Sequence, residues 1–445
     1  MDKNATQKTL YWVTKDLRLD DNPALLRAAQ ADRLLIVFCV EPQWFSARRY
    51  HLPSLGGHRW NFLKQSLEDL NRQLLNLGQR LLLVYERPEL ALPQLIERHS
   101  IGRLVCSRPF GSDEIETLAQ IDKAAHKIRP GFATEVVDTY TLFSISELPF
   151  DIADWPPTYS RFRRQAEKLD VSAPLPRPDS LPAALDTVAE PKQRPGWVAK
   201  NTATDCPFQG GETAANEHLS TYFLGDLPLS YKEVRNALDG WDNSSKLSPW
   251  MNGGCLSTRR VKQVLSDYEG NRGSNESTHW LYVELLWREY FQWLTLKLGN
   301  KLFSFQGSAK RRPRTCFFPD RYQMWCAGST PYPLVNACMR QLAATGYLSN
   351  RGRQIAASCC VNELGLDWRY GAAWFEHQLV DYDVGSNWGN WQYIAGVGAD
   401  PRGGRHFNLD KQTQMFDADG SYRERWGGNL ESLPLDSRDA ADWPL

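Results

Sequence analysis

The chain has 445 residues, more than one ordinary hydrophobic core holds, so two domains are expected. Apolar residues make up 42% and charged residues 23%, which excludes an intrinsically disordered chain. Lys and Arg total 52, as do Asp and Glu, so any nucleic-acid binding must use a local basic patch rather than a global field.

Apolar runs such as Leu34 to Val40 are too short to span a bilayer, and Met1 to Leu10 is too polar for a secretory signal. The nine cysteines are scattered, without a CxxC pair or Cys/His ligand spacing. Free thiols, a cytoplasmic location and no structural zinc are the expectation.

In chain order, Leu10 to Val13 and Leu34 to Val40 read as strands. His58 to Leu77 has helical periodicity, with Gly78 as its stop. Arg80 to Tyr85 reads as a strand, Leu90 to His99 as a helix and Arg103 to Cys106 as a strand. Ser112 to Ile128 reads as a helix capped by Ser112, and Thr134 to Val137 as a fifth strand. Strands alternating with helices predict a five-stranded parallel, Rossmann-like α/β sheet over residues 1–140. No G-x-G-x-x-G follows the first strand, so the usual dinucleotide fingerprint is missing. Residues 141–211 are Pro-rich from about 149 onward and read as a linker. Residues 212–445 are almost wholly helical in pattern, with an irregular tail after Gly403.

Four segments of the helical part carry chemistry. Asn243-Ser-Ser-Lys-Leu-Ser-Pro-Trp250 places hydroxyls and one Lys before a helix, which suits a phosphate or an ordinary capped helix start. His279 to Leu298 is apolar nearly all round, yet holds Glu284 and Arg288 at i and i+4. Buried charges there need partners or a polar cavity; a plain structural ion pair is the alternative. Asn350-Arg-Gly-Arg-Gln354 opens another helix. Asp381 to Trp391 combines two carboxylates, an Asn and several Trp and Gly residues. It lacks the ligand spacing of a Ca²⁺ loop. Ten of the 17 tryptophans lie between Trp241 and Trp391, fit for a large core, for stacking on a planar ligand or for electron relay.

Taken together and in this order, with Trp12 to Asn22 at the start, these segments resemble the photolyase/cryptochrome family. Asn350 to Gln354, Tyr393 and Gly396 to Arg402 resemble its DASH-type branch. The resemblance implies an antenna-binding domain over 1–140 and a helical FAD-binding domain over 212–445. Tyr231, Ser244, Ser245, Lys246, Leu247 and Ser248 would hold or flank the FAD diphosphate. Arg288 and Asn350 would line the pocket, Asp383 would accept the flavin N3–H, Arg353 paired with Asp381 would lie at the polar edge, and Asn387 would face N5. Glu284, Trp287, Asn350 and Tyr393 would receive a flipped-out cyclobutane pyrimidine dimer. Trp391 and Trp368 match the inner two tryptophans of the family's electron relay; no Trp stands near Thr315 to Phe318, where Trp325 or Tyr322 is the substitute.

Light-driven repair of pyrimidine dimers in single-stranded DNA is therefore the implied activity, with RNA as a second candidate strand. A blue-light receptor without efficient repair is the rival; retention of the dimer pocket and the lack of a long added tail argue for the enzyme. Methenyltetrahydrofolate is the implied antenna, near Glu114, and a monomer is expected. Arg161/Arg163/Arg164, Arg259/Arg260/Lys262 and Lys310/Arg311/Arg312/Arg314 form three basic clusters for a phosphate-binding rim.

Overall fold

The computed structural model describes residues 6–47, 49–185, 195–196, 206–309, 312–398, 404–430 and 435. Strands β1 (Lys8–Trp12), β2 (Arg33–Cys39), β3 (Leu81–Val84), β4 (Arg103–Ser107) and β5 (Ala133–Val137) pair in parallel in the order β3-β2-β1-β4-β5. Leu10 lies opposite Leu35 on one side and Leu104 on the other. All three are buried, as expected of strands covered on both faces. Helices α1 (Pro23–Ala28), α2 (Gly57–Leu75), α3 (Pro88–His99) and α4 (Ser112–Ile128) form the crossovers. The five expected strands all form, within one or two residues of the expected bounds.

The differences have local causes. Gly111, not Ser112, is the N-cap of α4; Ser112 is the first helical residue, and its hydroxyl is buried without a partner. Helix α1 is six residues long, too short to show a periodic face, but Asn22 caps it by accepting from Leu25 N at 2.9 Å, with Pro23 at the first position. Inside the Pro-rich stretch the described residues also form helix α5 (Tyr159–Ala166) and a two-residue strand β6 (Ala183–Ala184), which pairs with the start of β2. They are fixed by tertiary contact: Phe162 is fully buried against Trp155 and Tyr290.

The rest is helical: α6 (Glu212–Leu224), α7 (Leu227–Val234), α8 (Ser248–Gly253), α9 (Thr258–Arg272), α10 (Glu276–Leu298), α11 (Pro319–Ala327), α12 (Pro333–Thr345), α13 (Asn350–Ser358), α14 (Trp368–Gln378), α15 (Val384–Ile394), α16 (Leu409–Phe416) and α17 (Ser421–Arg425). Helix α10 runs through the middle, with α5, α7, α9 and α15 packed around it. Among the described residues no helix is long and apolar enough to cross a membrane.

Buried polar groups fasten the sheet to the helices. Arg18 is 2% exposed and donates to the carbonyls of Gly254 (3.1 Å), Thr139 (2.7 Å) and Asp21 (2.9 Å). Buried Glu212 accepts from the amides of Leu19 and Asp20. Gly254 has φ +79°, and a Cβ there would lie 2.2 Å from the Lys15 carbonyl, so the two layers meet on glycine backbone. Each bond joins segments more than 100 residues apart, except Arg18 to Asp21.

Candidate active site

The Asn243–Ser248 segment is a loop that enters α8. Lys246 is buried, adopts φ +53° and donates from Nζ to Ser244 Oγ at 2.8 Å. Burial pulls its pKa down to about 8, with Asp239 and Asp242 acting weakly the other way. A desolvated ammonium bonded to a hydroxyl is a ready partner for an anion. Its cation lies 5.3 Å from the ring of Tyr347, and Arg353 lies 5.5 Å from the same ring. Tyr231 and Leu247 are buried; Ser244 and Ser245 are half-buried.

Three stretches meet at the polar edge. Asp381, 4% exposed, accepts from Ser248 Oγ at 2.7 Å and from Arg353 Nη2 at 2.8 Å, both on Oδ2. Its Oδ1 is buried with no partner. Asp383 is different. It caps α15, accepting from Ser386 N at 2.7 Å, and also accepts from Gln292 Nε2 at 2.6 Å and Tyr140 OH at 2.9 Å, with Lys15 Nζ at 3.7 Å. Burial alone would raise its pKa; Lys15, Arg288 and these bonds outweigh that and hold it below the ordinary carboxylate value. Arg288 packs 4.0 Å over the Tyr140 ring and bonds Asn252 Oδ1 (3.0 Å) and the Tyr140 carbonyl (2.7 Å). Asn387 is buried and donates to the Ala372 carbonyl at 3.0 Å.

Glu284 and Trp287 share one stretch of α10. Glu284 accepts from Arg235 Nη1 (2.6 Å) and Trp280 Nε1 (3.0 Å), both on Oε1. Its side chain is about a third exposed, and burial raises its pKa despite Arg235. Trp287 is half-buried, with Tyr159 stacked on one indole face at 3.5 Å. Asn350, the first residue of α13, is exposed, and the Tyr393 hydroxyl meets Arg405. Arg235 was not singled out from sequence, and Arg351 only as part of the Asn350 to Gln354 segment. Each has a buried Nε without a partner; Arg351 also bonds Asn236 Oδ1 at 3.1 Å and lies against Phe416. Only the fold brings them to this side, 116 positions apart, so no local pattern links the two.

Trp391 meets Trp325 edge-on at 6.1 Å and Phe375 at 5.1 Å, and Tyr322 stacks on Trp325 at 6.5 Å. Trp368 donates from Nε1 to the Phe305 carbonyl at 3.0 Å and lies 5.8 Å from Trp388. Of the two proposed substitutes for the distal tryptophan, Trp325 thus adjoins Trp391 and Tyr322 lies one ring further out, against Trp325.

The basic clusters fare unequally. Arg259 pairs with buried Asp21 and Arg260 with Asp20, so both fasten the sheet to α9, and the expectation of a free rim fails there. Arg163 bonds Glu167, while Arg161 and Arg164 are exposed. Lys310 and Arg311 lie outside the described residues, as do Ala399 to Arg402 of the DASH-like stretch; Arg312 and Arg314 are exposed.

A cavity of about 510 Å³ opens at the carboxyl ends of β1, β2 and β4, facing α14 and α15. Ligands bind at such a crevice in parallel sheets, where the strand order reverses. Its wall includes Glu41, Arg49, Glu114, Tyr140, Glu376 and Trp388. Burial, and then Glu89 and Glu114, push Glu41 up to about 7 against the bond from Gln43. Among the described residues no group of three His, Cys, Asp or Glu is placed to hold a metal.

The chain matches two family models: "DNA photolyase" over residues 9–179 and "FAD binding domain of DNA photolyase" over 280–443. It is 46% identical to the cryptochrome DASH of Idiomarina loihiensis, covering 98% of this chain and 96% of that one. It is 45% identical to the cryptochrome DASH of Vibrio parahaemolyticus, covering 98% and 97%. The crystal structure of a Synechocystis cryptochrome superposes with a TM-score of 0.90 at 37% identity, covering 98% of this chain and 94% of that one. A bacterial class III photolyase from Agrobacterium tumefaciens gives 0.80 at 28% identity, covering 97% and 89%.

Proposed function

The chain belongs to the photolyase/cryptochrome family, in its cryptochrome DASH branch, and on that premise we propose that it repairs cyclobutane pyrimidine dimers in single-stranded DNA under blue light. FAD is the cofactor that its FAD-binding domain calls for. Two features of the site fit that group: the partnerless Asp381 Oδ1 suits an imide N–H, and the desolvated Lys246 suits a diphosphate. FAD, when bound, supplies the light absorption and the one-electron chemistry.

The chain's residues bind and orient. Lys246, Ser244, Ser245 and Ser248, beside Tyr231 and Leu247, hold the diphosphate end. We assign the ring's imide N–H to Asp381 Oδ1, because the oxygens of Asp383 are already taken by Gln292, Ser386, Tyr140 and Lys15. Asp383 then acts behind the site, as the helix cap that sets α15 and hence Asn387 and Trp391. Arg353 keeps a fixed positive charge at the edge where negative charge develops.

The observation that carries the repair reading is the Glu284–Trp287 pair. Arg235 and Trp280 both hold Glu284 by Oε1, which aims the carboxyl while leaving Oε2 to meet a pyrimidine edge. Trp287 beside it offers an apolar surface, and Asn350 and Tyr393 complete the pocket. Arg235 and Arg351 bring buried N–H donors to the same side, suited to the strand's phosphates. Single-strand preference follows from two commitments. Arg259 and Arg260 are tied to Asp21 and Asp20, and one face of Trp287 is tied to Tyr159. A single strand needs no unpairing energy before the dimer flips, so a modest grip suffices. Methenyltetrahydrofolate is assigned to the 510 Å³ cavity, with Glu114 on its wall.

The test is direct. The reduced protein is mixed with ultraviolet-damaged oligothymidine, single-stranded or in a duplex, and recovery of thymine absorbance is followed under blue light. Light-dependent recovery on the single strand, faster than on the duplex, is expected. No recovery on either would leave a light receptor that binds without repair. A near-ultraviolet band that disappears in Glu114→Ala would support the antenna assignment.

A further inference from the structure

We propose that His218, on α6, is a positioning residue that locks the Asn243–Ser248 loop in its anion-binding shape and thereby sets how slowly FAD leaves. This rests on the reading that the loop holds the FAD diphosphate. His218 Nε2 lies 2.8 Å from the Ser245 carbonyl oxygen, close enough to donate a hydrogen bond. The ring is held in place from two sides. It stacks on Trp250 at 4.8 Å and 26°, and meets Trp241 edge-on at 5.5 Å. Trp250 is itself anchored, 3% exposed and donating from Nε1 to the Gln209 carbonyl at 2.8 Å.

The bond falls where the loop needs it. Ser245 sits between Ser244 and Lys246, and Lys246 is in the left-handed region at φ +53°. A non-glycine residue there is strained, and the conformation persists only where its surroundings fix it. Anchoring the carbonyl of Ser245 fixes the peptide that leads into Lys246. That in turn keeps Lys246 Nζ on Ser244 Oγ and over the Tyr347 ring. Without the anchor, the peptide is free to turn and Lys246 to relax to φ below zero, which carries its ammonium off the site. Burial lowers the His218 pKa, so near neutral pH the imidazole is uncharged, and its bond to a carbonyl places the single ring proton on Nε2.

Three variants of the holoprotein test this. His218→Phe keeps a ring against Trp250 and Trp241 but has no donor. His218→Gln supplies an N–H near the place of Nε2 without the ring. Lys246→Ala tests the loop reading itself. FAD release is followed by the rise in free-flavin fluorescence on dilution, with the visible spectrum before release and the thermal midpoint of each FAD-free form as companions. His218→Phe should release FAD at least ~10-fold faster, the equivalent of one net hydrogen bond. His218→Gln should stay within ~3-fold of the parent, and the spectrum and FAD-free midpoint of His218→Phe should match the parent's. Release from His218→Phe at the parental rate overturns the lock. So does equally fast release from His218→Gln and His218→Phe, which would give the role to the ring. Parental release from Lys246→Ala would instead overturn the loop as the diphosphate site, leaving a result separable from the first.

Discussion

Asp381→Asn probes the polar edge of the site through a single atom. Ser248 Oγ and Arg353 Nη2 both donate to Oδ2, at 2.7 and 2.8 Å. An amide has one acceptor oxygen, and these two donors claim it. The amide nitrogen then takes the place of Oδ1 and turns its N–H groups toward the flavin imide N–H. A hydrogen bond to a charged acceptor, worth about 1.5–3 kcal/mol, becomes donor against donor. FAD affinity should fall by ~10- to 150-fold, at 1.4 kcal/mol per tenfold. The fold loses less. The Arg353 side chain is 25% exposed and keeps its bonds to the amide oxygen and to the Leu348 carbonyl at 2.8 Å, so the lost charge pair costs about 1–2 kcal/mol. The assay pairs titration of the FAD-free protein with FAD against urea unfolding of the same FAD-free forms. A dissociation constant within ~3-fold of the parent would refute the assignment of the imide to Asp381. Asp383→Asn is the contrast: the amide oxygen can keep Ser386 N and Gln292 Nε2, but the acceptor for Tyr140 OH and the charge beside Lys15 are lost, so it should lower stability more than affinity.

Four further outcomes follow. Lys246 has a pKa of about 8 in the free protein, and only its charged form attracts the diphosphate, so FAD affinity should weaken as pH rises through 8; Lys246→Ala should abolish that dependence in a fluorescence titration. Glu289 is buried, accepts from Leu142 N (2.8 Å) and Trp293 Nε1 (2.6 Å), and burial pushes it up to about 7 from an ordinary 4.5. The unfolded chain loses this proton first, so stability falls from pH 4.5 to 7 by about 3 kcal/mol and levels off above 7; urea unfolding across pH should show the fall in the parent and less of it in Glu289→Gln. Trp391→Phe keeps a ring against Trp325 and Phe375 but is harder to oxidise, so transient absorption should show light-driven flavin reduction slowed by more than ~10-fold. Gly371→Ala puts a Cβ 2.3 Å from the Trp391 indole, which is 2% exposed and cannot retreat; overpacking of about 1–3 kcal/mol should exceed the helix-propensity gain and lower the thermal midpoint.

Legibility in the sequence followed the range of the physics. The parallel sheet was readable because each strand is a short apolar run with its own flanking breaks, as at Leu34 to Val40 and Arg103 to Cys106. Burial of α10 was readable because its apolar residues leave no polar face. Single-residue roles at element ends were less so: Gly111 and Ser112 are both plausible caps, and one residue of offset decides whether the Ser112 hydroxyl caps the helix or is left without a partner. Arg259 and Arg260 look like surface cations from their neighbours alone. Their carboxylate partners are Asp20 and Asp21, more than 230 positions earlier.

The same limit explains why the motif Asp381-Tyr-Asp383 was visible but its division of labour was not. Both residues are acidic, two apart and next to a helix start, and either can accept an imide proton. What separates them is how much of each acceptor the fold consumes. Tyr140 comes from the end of the sheet domain, Gln292 from α10 and Lys15 from the turn after β1, and all converge on Asp383. Among the described residues, Ser248 and Arg353 are the donors to the Asp381 carboxylate, and both choose the same oxygen. A buried carboxylate oxygen left without a donor is destabilising by about 1–3 kcal/mol unless a ligand supplies one. On the imide assignment, FAD therefore supplies a donor at Asp381, while at Asp383 the fold supplies its own. Affinity for the ring should track the first residue and integrity of α15 the second, although the two carboxylates stand two positions apart on the chain.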